Sequence, residues 1–288
     1  MDKNERKEMA ADIANSMLDE FSKSVKRVVS LFGSETEALN KVLLPELREV
    51  TGYNLPGVGC TPAIPTTYMG EKRDLRRLLA GSGWMDTLYK VEDFCVQGIS
   101  GAIHPGDYLE IPLKVKAAKV SGVEYEALDL ESTVLTVTHV FKNRVIFCFE
   151  DVLFSGPINE DDTNKGGFKE SALAKYLNTT FLEPFSEIKD FLALNKDDLR
   201  ITLPTRYEVF GEGEPEANWT DEPCQLEYFK RRKNRIKVDR DDDTMWYWLS
   251  TPYAAAASHF CNVSTDGNAG TRYASSGDGG CAPAFCVA

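Results

Sequence analysis

The side chains able to bind a metal, attack a carbonyl or move a proton are few in this chain, and they are scattered. His104, His139 and His259 are the only histidines, and no His-x-x-x-His pair puts two imidazoles on one helix face. The seven cysteines (Cys60, Cys95, Cys148, Cys224, Cys261, Cys281 and Cys286) are odd in number and contain no C-x-x-C pair. That pattern argues against a complete disulfide framework or a four-thiolate zinc site, and it suits small buried hydrophobes in a reducing compartment. There is no G-x-S-x-G elbow and neither phosphate-binding glycine loop. The basic run Arg231-Arg232-Lys233, with Arg235 and Lys237, is followed at once by Asp239-Arg240-Asp241-Asp242-Asp243. Opposite signs in sequence read as a self-compensating solvated face, and the acidic run lacks the spacing and glycine of a calcium loop. The expectation is a protein that is not an enzyme, with no metal and no cofactor.

The C-terminal segment offers a different kind of chemistry. Thr251 to Ala288 contains no Lys, Glu, Gln, Met, Trp, Leu or Ile, although the rest of the chain is rich in most of them. Every residue type that remains has a codon ending in a pyrimidine, which Lys, Glu, Gln, Met and Trp lack. Randomising the adenines of an Asn codon yields that alphabet, so the segment reads as side chains shuffled over a retained frame. Tyr, Ser, Gly and Asn on loops make adaptable binding surfaces, with Tyr giving rigid contact area and the others hydrogen bonding. Phe260, Val263, Phe285 and Val287 are spaced as strand residues, and Asp266-Gly267 is a hairpin signal. An ordered binding surface is therefore expected rather than a flexible tail.

The elements that must position this segment follow from periodicity. Residues 5 to 32 carry an apolar stripe (Met9, Ile13, Met17, Phe21, Val25, Val28, Phe32) and predict a helix. Ser34 to Glu37 matches a capping box opening a second helix. Residues 1–50 are thus expected to be a helical region for docking or homo-oligomerisation, and the proline-punctuated stretch 51–83 a linker. A short helix is expected over Asp74 to Leu79. Strands are expected at Lys90 to Gln97, Tyr108 to Val115, Val134 to Phe141 and Arg144 to Phe149. Helices are expected at Lys169 to Leu177 and Pro184 to Phe191, with a long loop from Glu212 to Pro223. The region 84–288 is expected to be one α+β domain. A net charge of −12 disfavours nucleic acid, and nothing near the ~18 apolar residues of a membrane span appears. The N-terminus lacks the uninterrupted apolar core of a secretory signal.

Three C-terminal blocks carry a resemblance: WYWLSTP (Trp246 to Pro252), FCNVSTDGNA (Phe260 to Ala269) and CAPAFC (Cys281 to Cys286). Upstream, Gly166-Gly167-Phe168, Ser171-Ala172-Leu173, Tyr176-Leu177-Asn178 and Leu203-Pro204-Thr205 fit the same outline. Together they resemble bacterial and phage domains of the C-type lectin fold, and specifically the variable proteins of diversity-generating retroelements. The resemblance implies a C-type lectin-like domain over 84–288 with a variable region at about 250–280. Its implied frame is Trp246, Trp248, Leu249, Pro252, Val263, Gly267, Ala282, Pro283 and Phe285, with Phe260, Cys261 and Ala274. The implied displayed, ligand-binding positions are Tyr253, Ala254, Ala255, Ala256, Ala257, Ser258, His259, Ser264, Thr265, Asn268, Gly270, Thr271, Arg272, Tyr273, Ser275, Ser276 and Asp278. Small side chains at Ala254 to Ala257 suggest a shallow pocket flanked by Tyr253, His259, Arg272 and Tyr273.

The implied function is receptor binding through a hypervariable patch, with an unidentified protein or glycan on a cell surface as partner. Neither nucleic acid nor membrane insertion is expected. The implied setting is a bacterial cytoplasm, with phage virions as a further location. The fold is shared with formylglycine-generating oxidases, which use paired cysteines and bring Cys281 and Cys286 into consideration. Their R-G-G-S run is missing here, as are the calcium-binding motifs of animal lectins. A structural phage component is the remaining alternative.

Overall fold

A computed structural model describes residues 72–288, which lie within the compact unit Pro65–Ala288. The two expected N-terminal helices and the proline-rich stretch before residue 72 lie outside the described residues. The fold is α+β, dominated by strands. It opens with helix α1 (Leu75–Leu78), whose start is capped by the Asp74 carboxylate accepting from the Arg76 amide. Residues 72–83 are not free linker. Leu75 is fully buried, Asp74 bridges to Tyr108, and the Arg73 guanidinium holds Asp107 at 2.6 Å.

Helix α2 (Trp84–Val96) replaces the strand expected at Lys90 to Gln97. The buried residues Thr87, Leu88, Val91 and Cys95 explain the correction. Leu88, Val91 and Cys95 recur at three and four residues, a helical stripe, whereas the β-branched and aromatic content of 91–96 had suggested a strand.

Two five-stranded sheets carry the rest. The first is ordered β1 (Tyr108–Val115), β4 (Leu128–Phe141), β5 (Arg144–Phe149), β14 (Ala284–Val287), β7 (Ile201–Thr202), antiparallel throughout. The second is ordered β12 (Ala269–Tyr273), β11 (His259–Val263), β10 (Tyr247–Pro252), β13 (Gly280–Cys281), β6 (Phe154–Ser155). Here β10 and β13 run parallel, and the other pairs are antiparallel. Two short hairpins, β2–β3 (Ala118–Val120, Val123–Tyr125) and β8–β9 (Lys237–Val238, Thr244–Met245), stand apart. Strands β1 and β5 occupy the expected ranges, and β4 is longer at its start than expected.

Helix α3 (Ala172–Leu177) is capped by Ser171, and the helix expected at Pro184 to Phe191 is instead two 3-10 turns. Helix α4 (Arg206–Phe210), which local periodicity does not announce, owes its existence to a complete capping box between Thr205 and Glu208 and to a left-handed Gly211.

Two apolar clusters form the core. Phe147, Phe185 and Phe285 anchor the first, with ring centroids 5.5–5.6 Å apart across Phe285. Tyr247, Leu249, Cys261 and Val263 belong to the second. Lys237, only 2% exposed, donates to the Phe149 and Glu150 carbonyls at 2.6 Å. It is therefore no part of a solvated charge run, and Arg232 pairs with Asp266 rather than with the acidic run.

The Glu150 carboxylate accepts from Tyr228 at 2.8 Å, from Lys72 at 2.5 Å and from Thr136. Burial alone raises its pKa, but the Lys237 cation and the Lys72 and Thr136 bonds outweigh that and hold it below the usual carboxylate range. Its folded pKa lies below the unfolded one, so this stabilisation is present above about pH 4.3 and lost as pH falls. Urea midpoints measured from about pH 5 down to about pH 3 should therefore fall more steeply for the native chain than for Glu150→Gln.

Candidate functional site

The final 42 residues build five strands, and the chain threads between the sheets to do so. β10 and β11 flank loop 253–258, β11 and β12 flank the turn 264–268, and 274–279 leads into β13. β14 then enters the first sheet between β5 and β7. Both ends of the segment are thereby pinned in the core: Trp248, Leu249, Phe260, Cys261, Val263, Ala274, Cys281, Ala282 and Phe285 are each at most 2% exposed. Gly267 and Pro283 are buried, and Trp246 and Pro252 half-buried.

The seventeen positions expected to be displayed are exposed or, like Trp246 and Pro252, half-buried. Tyr253, Ala254, Ala255, Ala257, Thr265, Asn268, Arg272, Tyr273 and Asp278 are exposed. Ala256, Ser258, His259, Ser264, Gly270, Thr271, Ser275 and Ser276 are half-buried. None is buried. Tyr273 is 53% and Tyr253 36% exposed, large values for aromatic rings. Tyr273 pairs with His259 across β11–β12, their rings 4.2 Å apart, and the Ser258 hydroxyl lies 2.9 Å from His259 Nδ1. The Arg272 guanidinium sits 5.6 Å above the Trp246 ring. Three of the four larger residues thus lie together along the β11–β12 ladder, with Tyr253 at the mouth of the preceding loop.

Loop 253–258 is held by its backbone and by a residue outside the segment. Tyr253 donates its amide to the His259 carbonyl at 3.0 Å, Ala256 to Tyr253 at 3.2 Å and His259 to Ala256 at 3.1 Å. The Asn164 side-chain amide lies inside the loop. Its two hydrogens are shared among the carbonyls of Tyr253 (3.2 Å), Ala256 (3.0 Å) and His259 (2.9 Å), while its backbone amide donates to Ala257 at 2.7 Å. Asp162 accepts from the amide and hydroxyl of Ser275, bracing the next turn from the same segment. Local composition marks 160–167 as a turn. Its acceptors lie about ninety residues onward, so no local signal identifies Asn164 or Asp162 as supports.

The turn 264–268 is self-contained. Ser264 Oγ donates to Asp266 at 2.6 Å and receives the Asn268 amide at 3.2 Å. The Ser264 bond leads the causes that lower the Asp266 pKa, aided by Arg232. Gly267 has φ +79°, and a Cβ there would stand 3.0 Å from the Arg232 carbonyl, so its role is conformational. Ser264 and Asn268 accordingly shape the turn as well as facing solvent. At Gly270 a Cβ would approach Asn262 Oδ1 to 2.6 Å, so a larger residue there displaces that amide.

Cys281 and Cys286 lie in different sheets and are fully buried. Burial pushes both thiols up, Cys281 further under the influence of Cys148. A nucleophilic or metal-binding cysteine needs the opposite, a depressed pKa and access.

Asn164→Ala removes three carbonyl contacts at once and should destabilise the protein by about 1–3 kcal/mol. The amides of Tyr253, Ala256 and His259 should lose hydrogen-exchange protection, while those of β5 and β14 keep it. Unchanged protection in the loop would show that its own backbone bonds suffice.

Nothing matches the chain among curated proteins or among solved structures. A family model does match, over residues 142–288, a span that runs from the β4–β5 turn to the last residue and takes in the Asn164 turn and the whole 251–288 segment. The chain belongs to the family described as a domain of unknown function, DUF6273.

Proposed function

We propose that residues 84–288 form a C-type lectin-like binding domain whose segment 253–278 is a diversified surface for a receptor on a cell surface. The proposed surface is of the kind that diversity-generating retroelements produce. The observation that carries this reading is the coincidence of two independent divisions of the same segment. One comes from the resemblance, the other from burial: no displayed position is buried, and among the frame residues only Trp246 and Pro252 are not.

The mode of support favours the same reading. Loop 253–258 is fixed mainly by main-chain atoms and by Asn164, so side chains can change there without loss of the fold. Tyr253, Arg272 and Tyr273 are the residues with enough area to dominate contact energy. A patch this small binds weakly by itself, and copies joined through the N-terminal region would gain avidity. The oxidase alternative asks for accessible low-pKa thiols at Cys281 and Cys286, and their burial argues the other way.

Two measurements test the proposal. Ala255→Asp, Thr265→Asn and Tyr273→Ser should each change the unfolding free energy by less than about 0.5 kcal/mol. Phe260→Ala and Trp248→Ala should cost about 3–5 kcal/mol in the same urea titrations. Similar penalties in both groups would contradict a display surface on a retained frame. Independently, the DNA near the coding sequence should hold a near-copy of the stretch encoding residues 250–288, mismatched at adenines and beside a reverse-transcriptase gene. Its absence would remove the retroelement from the proposal.

A further inference from the structure

The ladder that carries His259, Arg272 and Tyr273 ends in an open edge. Strand β12 pairs with β11 alone and forms one side of its sheet. Its register is unbroken from Val263↔Ala269 to His259↔Tyr273. The Ser264 amide donates to the Asn268 carbonyl at 2.8 Å and the Ala274 amide to the Ser258 carbonyl at 2.9 Å. These bonds, one at each end of the ladder, fix which residues face inward. Opposed residues in an antiparallel pair alternate between bonded and unbonded, so Gly270 and Arg272 turn their main-chain groups to β11. Ala269, Thr271 and Tyr273 turn theirs away. Among the described residues these outward groups have one partner, the Ser276 amide on the Tyr273 carbonyl at 3.0 Å. The three outward amides and the carbonyls of Ala269 and Thr271 remain unpaired.

The other edges of the two five-stranded sheets are guarded. β1 carries Pro112, which has no amide to offer, together with exposed Glu110 and Lys114 and a register shift at the proline. β6 and β7 are two residues each, too short to template a neighbour. β12 has no proline, lysine, acidic residue or bulge. Its one charge, Arg272, is drawn back over the Trp246 ring. The edge left open is the one inside the displayed segment.

The bonds on offer define the occupant. Amides and carbonyls at every second residue of an extended backbone match another extended backbone. A sugar ring or a lipid headgroup presents no such repeat. A second copy of β12 would cover Gly270 to Tyr273, the positions proposed for display, and it carries the same net charge of −12. Main-chain pairing also reads no side chain, so changes at those positions leave it in place. Ala269, Thr271 and Tyr273 share one face, where the Tyr273 ring, 53% exposed, offers a cross-strand contact.

We propose that the partner of the 253–278 surface is a protein, and that an extended segment of it adds to β12 as a further strand of the second sheet. The inference rests on reading that surface as one that binds a receptor, and it makes main-chain pairing the constant part of the recognition.

A displayed library of random linear peptides of about ten residues, panned on the full chain, supplies the probe. Enriched peptides should favour β-branched and aromatic residues. Thr271→Pro removes an outward amide and no bond to β11, so it should keep a cooperative urea transition while weakening peptide binding at least about tenfold. Thr271→Val, which retains the amide, should bind like the native chain. N-methylated peptides tested on the native chain need no variant. Methylating one alternate set of amides should abolish binding, and methylating the other set should not. No enriched peptide, equal response to both methylated sets or full binding by folded Thr271→Pro would each overturn the proposal. Dimerisation of the peptide-free chain that is lost in Thr271→Pro would overturn it in favour of a second copy. Binding lost when Tyr253, Arg272 and Tyr273 are replaced together by Ala, yet unaffected in Thr271→Pro, would keep the receptor surface and discard the added strand. The urea comparison of displayed with frame positions holds or fails whatever β12 binds, so the two readings fail separately.

Discussion

The insertion of β14 between β5 and β7 is the constraint on which the described fold depends. Phe285 reaches Phe147 on β5 and the Phe185 ring, and Val287 pairs with Val145, so the last residues fill the core and join β7 to the rest of the first sheet. Sequence order then imposes a consequence. After β10 the remaining segment must add β11, β12 and β13 to the second sheet and then cross to the first as β14. Its ends are specified by buried strands, and its middle is free to differ only where it touches neither core cluster. The segment lacking Leu, Ile and Trp nevertheless supplies buried strands to both core clusters. Phe260, Cys261, Val263, Cys281, Phe285, Cys286 and Val287 sit where the path crosses the interior.

How much of this was legible depended on whether each signal was local. The alternating apolar residues of β1 and β5 and the Asp266-Gly267 turn lie within a few residues of one another, and the expected ranges match the observed ones. Helix α2 was misread because Val91, Phe94 and Val96 suit a strand, while the burial that selects a helix comes from Leu88, Val91 and Cys95 together. The run around Lys237 looked solvated because charge was counted along the chain. In space Lys237 caps the Phe149 and Glu150 carbonyls beneath Tyr247, which only tertiary contacts reveal. The buried strand positions Phe260, Val263, Phe285 and Val287 were readable, since strand spacing acts at short range. Asn164 was not, because a single amide serving carbonyls about ninety residues away leaves no periodic trace.

Asn164 shows how a surface can vary in sequence and still be ordered. A loop held by its own side chains must keep them, and a loop held by nothing pays conformational entropy of about 1–2 kcal/mol per residue whenever it binds. Donating to main-chain carbonyls avoids both problems, because every residue presents the same carbonyl acceptor whatever its side chain. The support also lies outside the 251–288 segment, so a process confined to that segment would leave it unchanged. The same turn carries Gly166 and Gly167, both in left-handed conformations, and these let its backbone lie against Pro252 and wall a cavity of about 220 Å³ beside it. One short stretch of sequence thus fixes the shape of the proposed receptor surface through Asn164 and the edge of the adjoining cavity through Gly166 and Gly167.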